Sequence, residues 1–486
     1  IVMSTETTAP PPDSAVTSTN PVDSKPISVP DNAAASMNSV DAKPAVIPDN
    51  ATEENKVDSK SEETFYMSTQ NDGASLTSSI INMMNTIIGA GTISLPNTMM
   101  ISGIAGGGIL LIISLLLSLV GAHYLSASSI YSKEDSYGFI GKKIVNPVIG
   151  YVADFFMILF DFGISVGYYN IVLSQTMDLL GSFLKKTVEE LSSWQWLVSL
   201  IEGLFLFFPL LCIPTIDSLK WTSTVAIICI SIFVIIAIVM GIIQVFREPL
   251  QYNWLPDNFT DLSTAVSVFF TCLCAHVNIP KMTSELKFPT KSKFGNKLKK
   301  MDRVNNISFV ACTVVYFLVG VCGYLAFGAN TKGNLLSNFA DLNVWYLNIV
   351  KVAYAFVALF SYPVLSFSPL VSIDKTFFKQ PRPVSRRVLE AFIWTLLVVI
   401  VALLIPELTQ VFSLTGSMCG IALVFVWPSL FYIWIDKREK AKKLTSRVDI
   451  FKFSSFSIVF AWILFYVGIV AAVFMTVLEI KKLVAA

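Results

Sequence analysis

The residues best suited to bind a ligand lie in the segment MMNTIIGAGTISLP, residues 83–96. Asn85 carries a side-chain amide, and a run of small residues follows one helical turn later: Gly89, Ala90, Gly91 and Thr92. The segment is apolar and long enough to cross a bilayer. A helix broken at this run would free backbone amides and carbonyls, which must then be buried in protein or line a cavity.

The two sides of such a break attract opposite charges. The half-helix that begins after the break presents free N–H groups, which suit the carboxylate of a substrate. The half-helix that ends before it presents free carbonyls, which suit a cation, and the amide oxygen of Asn85 is placed to join them. We therefore expect residues 89–92 to bind a substrate and Asn85 to bind a coupling ion. Alternatively, the small residues only let neighbouring helices pack closely.

A second apolar segment is interrupted at TCLCAHVNIP, residues 271–280, which contains His276 and Pro280. Two interrupted helices five spans apart are typical of an inverted-repeat transporter whose binding site lies at mid-membrane. We expect His276 to contact the substrate or to carry a proton. The alternative is a neutral histidine that hydrogen-bonds to the freed backbone.

Ionisable side chains inside apolar segments need an explanation, because each costs at least about 2.5–3.5 kcal/mol to insert. The third span contains Asp154, Asp161 and Asp178, of which Asp161 is the most central, with Tyr168 about two turns further on. We expect Asp161 to relay a proton or to face a basic substrate, and Tyr168 to line the substrate cavity. Pairing of Asp161 within the bundle and simple packing of Tyr168 are the alternatives.

Membrane helices must position these residues. Of the 486 residues, 54% are hydrophobic and 14% are charged, whereas soluble domains have about 25% charged residues. The apolar residues form blocks of about 20 or more, the length that crosses a bilayer. We predict an all-α polytopic membrane protein with about eleven transmembrane helices. Their limits are 75–101, 104–130, 147–181, 195–213, 218–245, 262–284, 305–328, 346–372, 388–405, 408–435 and 455–480. The predicted architecture is a five-plus-five inverted repeat with helices 1 and 6 broken and one extra C-terminal helix.

Basic residues predict the orientation of this bundle. Alternate loops contain 24 of the 35 Lys and Arg residues, eight of them in the loop 281–304. Such loops are typically cytosolic, which predicts a cytosolic N-terminus and a C-terminus outside or in a lumen. Residues 1–70 are polar and contain the tandem repeat VDSKPISVPDNAA and VDAKPAVIPDNAT. We predict that they form a disordered cytosolic tail, separate from a transmembrane transporter domain at 75–480.

Five segments occur in order along the chain: NTIIGAGTISLP, FFTCLCAHVNIPKMTSELK, YFLVGVCGYLAFG, FSYPVLSFSPL and FSLTGSMCGIALVFVWPSLFYI. Together they resemble the amino acid/auxin permease family over about residues 75–480. The resemblance is greatest to its sodium-coupled neutral amino acid transporter branch or to the vacuolar and lysosomal relatives of that branch.

This resemblance implies transport of amino acids by alternating access. In sodium-coupled members an Asn of the first helix and a hydroxyl of the eighth contribute to the cation site. Asn85 matches the first, and Ser361 best matches the second, where Thr is expected. The resemblance also implies that the charged groups of the substrate meet the backbone at residues 89–92. The loop 247–261 is short and lacks the paired cysteines of many animal plasma-membrane members, so a vacuolar or lysosomal membrane and proton coupling stay open beside the plasma membrane and sodium.

The leading hypothesis is a secondary active transporter, a symporter for amino acids driven by a sodium or proton gradient. An amino-acid sensor that signals through the N-terminal tail is the second hypothesis. We expect no enzyme activity, because the sequence shows no catalytic triad pattern, metal cluster or phosphate loop. No cofactor is expected beyond the coupling ion, either sodium at Asn85 and Ser361 or a proton. The expected partners are the amino-acid substrate and membrane lipids, without nucleic acid, and we expect a monomer.

Overall fold

The computed structural model describes residues 73–485 except for 188–189, 214–219, 248–251, 288–293, 343, 379–381 and 446–454. These described parts are helices joined by short connections, with one isolated β-bridge between Ala74 and Leu286. The prediction of an all-α chain is therefore confirmed. The predicted tail at residues 1–70 lies outside the described residues.

The first half of the chain contains the helices α1 (Leu76–Ile87), α2 (Leu95–Ser102), α3 (Ile104–Ser132), α4 (Tyr137–Ile144), α5 (Pro147–Leu184), α6 (Gln195–Glu202), α7 (Phe208–Leu211) and α8 (Lys220–Val245). The second half contains α9 (Phe259–Cys272), α10 (Ile279–Glu285), α11 (Phe294–Phe327), α12 (Leu335–Asp341), α13 (Trp345–Phe377), α14 (Val384–Leu404), α15 (Leu408–Thr415), α16 (Trp427–Thr445) and α17 (Ser455–Ala485).

Ten helical stretches of the described chain are long and apolar enough to cross a membrane. They coincide with ten of the eleven predicted spans. The first predicted span, 75–101, is not among them because it is divided into α1, of 12 residues, and α2, of eight. The sixth span is broken as well, since α9 ends at Cys272 and α10 begins at Ile279. Both predicted breaks are thus confirmed, while the repeat symmetry that would relate them stays a prediction.

Local sequence explains where the helices of the site begin. At the start of α1 the Ser75 hydroxyl accepts a hydrogen bond of 3.1 Å from the amide of Ser78. At the start of α5 the side chain of Asn146 accepts a bond of 2.9 Å from the amide of Ile149, and Pro147 occupies the first turn. Such caps satisfy amides that have no partner inside the helix.

The centre of the bundle is formed by the broken sixth span and by the tenth. The stretches Phe259–Glu285 and Leu408–Ala441 are 78% and 89% buried, whereas Ser455–Ala485 is 17% buried. The tenth span is wound as a π-helix at Gly416–Gly420 and Ala422–Val426. The sequence patterns did not predict this irregular winding between α15 and α16.

Candidate functional site

The two helix breaks contact each other. A Cβ atom placed on Gly91, in the first break, would lie 2.5 Å from Sγ of Cys272, where the second break begins. Only a residue without a side chain fits at this distance unless the cysteine moves. Close packing against Cys272 is therefore one reason for a glycine at position 91. The same contact brings together the two interrupted helices, as a mid-membrane site requires.

Tyrosine hydroxyls from two other helices hydrogen-bond to carbonyls at the breaks. Tyr316 of α11 donates to the carbonyl of Ile87, and its hydroxyl lies 3.3 Å from the carbonyl of Cys272. Tyr354 of α13 donates to the carbonyl of Gly89 at 3.0 Å. Two of the carbonyls at the first break, those of Ile87 and Gly89, therefore already accept hydrogen bonds from tyrosines and are not free for the cation that we predicted there. Sequence reasoning missed both tyrosines, and the one signal available was that Tyr316 opens the segment YFLVGVCGYLAFG.

Other backbone groups at the first break remain unpaired. Within the described chain no backbone carbonyl accepts a hydrogen bond from the amide of Gly89 or Gly91, and no backbone amide donates to the carbonyl of Asn85. The next amide, that of Thr92, bonds to the Gly89 carbonyl at 3.1 Å. The break thus keeps two N–H groups suited to an anion and one carbonyl suited to a cation, as the sequence led us to expect.

A cavity of about 470 Å³ lies beside the first break. Four predicted site residues line it: Asn85, Asp161, Tyr168 and Ser361. The cavity extends to Asp135 and Lys281, whose side chains are exposed. Its volume falls within the range of about 300–1,000 Å³ typical of small-molecule sites. The structure therefore places residues from three distant segments of the chain around one space of suitable size.

Tyr168 connects this cavity with the break. It lines the cavity, and a Cβ atom placed on Gly89 would lie 2.9 Å from its hydroxyl. A ligand in the cavity that touches Tyr168 would therefore lie close to the glycine backbone. Contact of Tyr168 with a substrate stays a prediction.

Ser361 lies in a helix that is interrupted in a different way. Helix α13 contains Pro363 and Pro369, and proline has no amide hydrogen to donate to the carbonyl four residues earlier. The carbonyls of Leu359 and Leu365 consequently lose their usual helical donors, and Leu365 lines the same cavity as Ser361. This part of α13 can therefore supply backbone oxygens as well as a hydroxyl.

Only one of the three acidic residues of α5 lacks a cationic partner in the described chain. Asp154 lies 4.0 Å from Nζ of Lys142, and Asp178 lies 3.2 Å from Nζ of Lys351. Asp161 is 1% exposed, and no described Lys, Arg or His side chain lies within 4.0 Å of it. Its Oδ1 atom has no hydrogen-bond partner among the described residues. The pairing within the bundle that the sequence offered as an alternative is therefore not seen for Asp161.

Among the other predicted substrate residues, Gly89, Gly91, Thr92 and His276 do not line this cavity. His276 is fully buried, with Nε2 3.0 Å from the carbonyl of Ser118 and its ring against Phe309. Thr92 is also fully buried, and the side chain of Ala90 is outside the described part of the structure. The roles of Ala90, Thr92 and His276 in substrate binding stay predictions.

A larger cavity of about 1200 Å³ lies on the other side of the break. It is lined by Asn97 of α2, Asn170 of α5 and Lys351 of α13. Along α5, Tyr168 faces the first cavity and Asn170 the second, and Tyr169 between them is fully buried. No described residue lines both cavities, and α5 and α13 contribute different residues to each of them.

The ligands available at the first cavity are oxygen atoms. No group of three or more His, Cys, Asp or Glu residues able to hold a metal ion occurs in the described ranges. Asn85 and Ser361 both line this cavity, and so does Leu365, whose carbonyl loses its helical donor at Pro369. Neutral oxygens suit a hard cation such as sodium, so these residues fit the ion that the sequence analysis assigned to them.

Comparison with known proteins gives a consistent result. Residues 72–475 match the family described as "Transmembrane amino acid transporter protein". Amino acid transporter AVT6E of Arabidopsis thaliana is 26% identical over 395 residues, which cover 78% of this chain and 79% of the relative. Vacuolar amino acid transporter 5 of Schizosaccharomyces pombe is 26% identical over 368 residues, 74% of this chain and 84% of the relative. Sodium-coupled neutral amino acid transporter 7 of Danio rerio is 24% identical over 381 residues, with coverage of 74% and 79%.

Proposed function

The chain belongs to the family of transmembrane amino acid transporter proteins, and we propose that it is a secondary active transporter that works by alternating access, coupled to a sodium or proton gradient. The observation that carries this proposal is the cavity at the first break. Asn85 and Ser361 both line it, and Tyr168, whose hydroxyl lies against Gly89, lines it as well. Ligands for an amino acid and for a cation are thus adjacent inside the membrane domain.

In this proposal the amides of Gly89 and Gly91 bind the carboxylate of the substrate. Neither amide has a carbonyl partner in the described chain, and an unpaired amide at membrane depth favours an anionic ligand. The Tyr354 hydroxyl keeps the Gly89 carbonyl occupied, which leaves the N–H side of the break for the substrate.

The coupling ion would bind one helical turn earlier, at the side chain and carbonyl of Asn85 and the hydroxyl of Ser361. Asn85 lies in the last turn of α1, which ends at Ile87, and Gly89 follows two residues later; we take the two binding positions to be about 6 Å apart, the rise of four helical residues. At that separation a cation and a carboxylate attract each other by about 3 kcal/mol at an effective dielectric constant of about 20. Each ligand would therefore increase the affinity for the other by about a hundredfold, which is the physical basis of coupled transport.

Two cavities separated by buried residues are what alternating access requires. The cavity of about 470 Å³ reaches the proposed site, and the cavity of about 1200 Å³ shares no lining residue with it. A change that opens the second cavity to the site and closes the first would carry a bound substrate across.

We also propose that the first cavity opens towards the cytosol and that the protein works in a vacuolar or lysosomal membrane. The exposed residues at the edge of this cavity, Asp135 and Lys281, belong to the loops 131–146 and 281–304. Their basic residues predict a cytosolic location. The fission yeast relative is named as vacuolar, which supports this membrane over the plasma membrane.

The experiment that tests this function is uptake of a panel of radiolabelled amino acids into proteoliposomes that contain the purified protein. Sodium and pH gradients are imposed separately, and protein-free liposomes under the same gradients are the control. Uptake driven by sodium supports the ion site at Asn85 and Ser361, whereas uptake driven only by pH assigns coupling to protons. Binding without uptake under either gradient contradicts a transporter and favours a sensor.

A further inference from the structure

The environment of Asp161 differs from that of the two other carboxylates on its helix. Asp154 and Asp178 each lie beside a lysine of another segment, at 4.0 Å and 3.2 Å respectively. Asp161 lies between them along α5 and has no such partner in the described chain, although it is 1% exposed. A buried carboxylate is stable as an anion only when a cation or several hydrogen bonds compensate its charge. The described residues supply no such cation.

The missing cation has a space in which to bind. Asp161 lines the cavity of about 470 Å³ that also contacts Asn85, Tyr168 and Ser361. Lys281 lines the same cavity, but its side chain is exposed and forms no ion pair of 4.0 Å or less with Asp161. The unpaired carboxylate therefore faces a space large enough for a small molecule.

The position of Asp161 along α5 shows which part of an amino acid it can reach. Tyr168, whose hydroxyl lies against Gly89, is seven residues further along the helix, a rise of about 10 Å. If the substrate carboxylate binds the amides of Gly89 and Gly91, its α-ammonium group, one carbon away, stays near the break. Because Asp161 and Tyr168 are this far apart along α5, we assign the group that extends to Asp161 to the side chain of the substrate.

We propose that Asp161 forms an ion pair with the cationic side chain of the substrate and that the protein therefore selects amino acids with long basic side chains, those of the lysine and arginine class. This inference rests on the proposed function, because it takes the substrate carboxylate to bind at the first break. It assigns the carboxylate a specificity-determining role through direct contact with the substrate. It also decides between the two roles, proton relay and contact with a basic substrate, that the sequence left open for Asp161.

The test compares binding of radiolabelled lysine and leucine to the purified full-length protein, together with uptake of both in proteoliposomes. Lysine is expected to bind more tightly than leucine. Asp161→Asn is expected to lower the affinity for lysine relative to leucine by at least about 30-fold, because loss of one partner of a buried charge pair has an effect of this size. Asp154→Asn is the matched control, since Asp154 is on the same helix and pairs with Lys142 instead of lining the cavity. It should leave the lysine-to-leucine ratio unchanged.

Several results would overturn the inference. Equal affinity of the wild-type protein for leucine and lysine would contradict it. An Asp161→Asn variant that loses lysine and leucine affinity equally, or loses only pH-driven uptake, would assign the carboxylate to proton coupling. If Asp161→Asn does not fold, Asp161→Glu keeps the charge and should retain the preference for lysine, and loss of that preference by the folded variant would count against the ion pair.

Failure of the proposed function gives a different pattern. Lysine binding that depends on Asp161 but occurs without any uptake would support the ion pair and contradict transport. Uptake of leucine without binding of lysine would support transport and contradict the ion pair.

Discussion

The contact of Tyr316 with both helix breaks leads to a specific prediction for Tyr316→Phe. The hydroxyl donates to the carbonyl of Ile87 and lies 3.3 Å from that of Cys272. It thereby ties the end of α1 to the end of α9 in the middle of the bundle. Phenylalanine keeps the ring, which is fully buried, and removes only this donor.

The size of the effect follows from the value of such bonds in membranes. Interhelical hydrogen bonds contribute about 0.6 kcal/mol on average and about 1.7 kcal/mol at most. This range corresponds to a factor of about 3 to 18 in an equilibrium constant. If Tyr316 holds the breaks in the arrangement that binds substrate, the equilibrium constant for that arrangement falls by this factor in the variant. The dissociation constant of the substrate should then rise by up to the same factor.

The assay is equilibrium binding of the best-transported amino acid to purified protein, with thermal unfolding measured in parallel. Tyr124→Phe is the matched control, because the Tyr124 hydroxyl also donates to a backbone carbonyl, that of Ser457 at 2.9 Å, but joins α3 to α17 away from the breaks. Both variants should lose a similar amount of stability, and only Tyr316→Phe should lose affinity. Equal binding by Tyr316→Phe and wild type, or equal losses in the two variants, would refute the argument.

Three further predictions concern the ion site, the break and the last helix. Asn85→Ala should remove the dependence of uptake on the coupling cation while the protein still folds, and full uptake with an unchanged sodium and pH response would contradict the assignment. Gly91→Ala adds a Cβ atom 2.5 Å from Sγ of Cys272 and should lower uptake roughly 5- to 150-fold, from an overpacking cost of about 1–3 kcal/mol. Cys272→Ala in the same chain should restore part of the loss, and no change on either substitution would argue against the contact. Glu479 accepts hydroxyl hydrogen bonds from Ser413 of α15 at 2.8 Å and from Thr264 of α9 at 2.9 Å. Glu479→Ala should therefore lower the melting temperature with little change in substrate affinity. An unchanged melting temperature would contradict this structural role.

The sequence predicted the helix breaks because their causes are local. Glycine at 89 and 91 and proline at 280 weaken a helix wherever they occur, and the apolar length of the spans is read directly along the chain. The donors at these breaks could not be predicted in the same way. Tyr316 lies 229 residues from Ile87, and Tyr354 lies 265 residues from Gly89. Nothing in a single sequence indicates which of its 15 tyrosines meet a freed carbonyl.

The same limit applies to the charged residues of the third span. Sequence identified Asp161 as the most central carboxylate, but its importance depends on the lysines beside its neighbours on the helix. Lys142 belongs to α4 and Lys351 to α13, and only their positions in space show that Asp161 is the carboxylate without a described cation. His276 shows the same limit, since its place at the second break predicts contact with substrate, whereas only the structure shows that its ring is fully buried and does not line the cavity; its role stays a prediction.

The tyrosine hydrogen bonds also suggest how the breaks and the two cavities are linked. Tyr354 lies on α13 between Lys351, which lines the larger cavity, and Ser361, which lines the smaller one, and its side chain is 1% exposed. It lines neither cavity, and its hydroxyl holds the Gly89 carbonyl. A hydroxyl contact can be exchanged at a cost of about 1 kcal/mol, whereas a regular helix would have to unwind. We therefore expect that opening of the larger cavity towards the site breaks this bond and leaves the Gly89 carbonyl with the Thr92 amide as its donor, so that access and the backbone of the binding site change together.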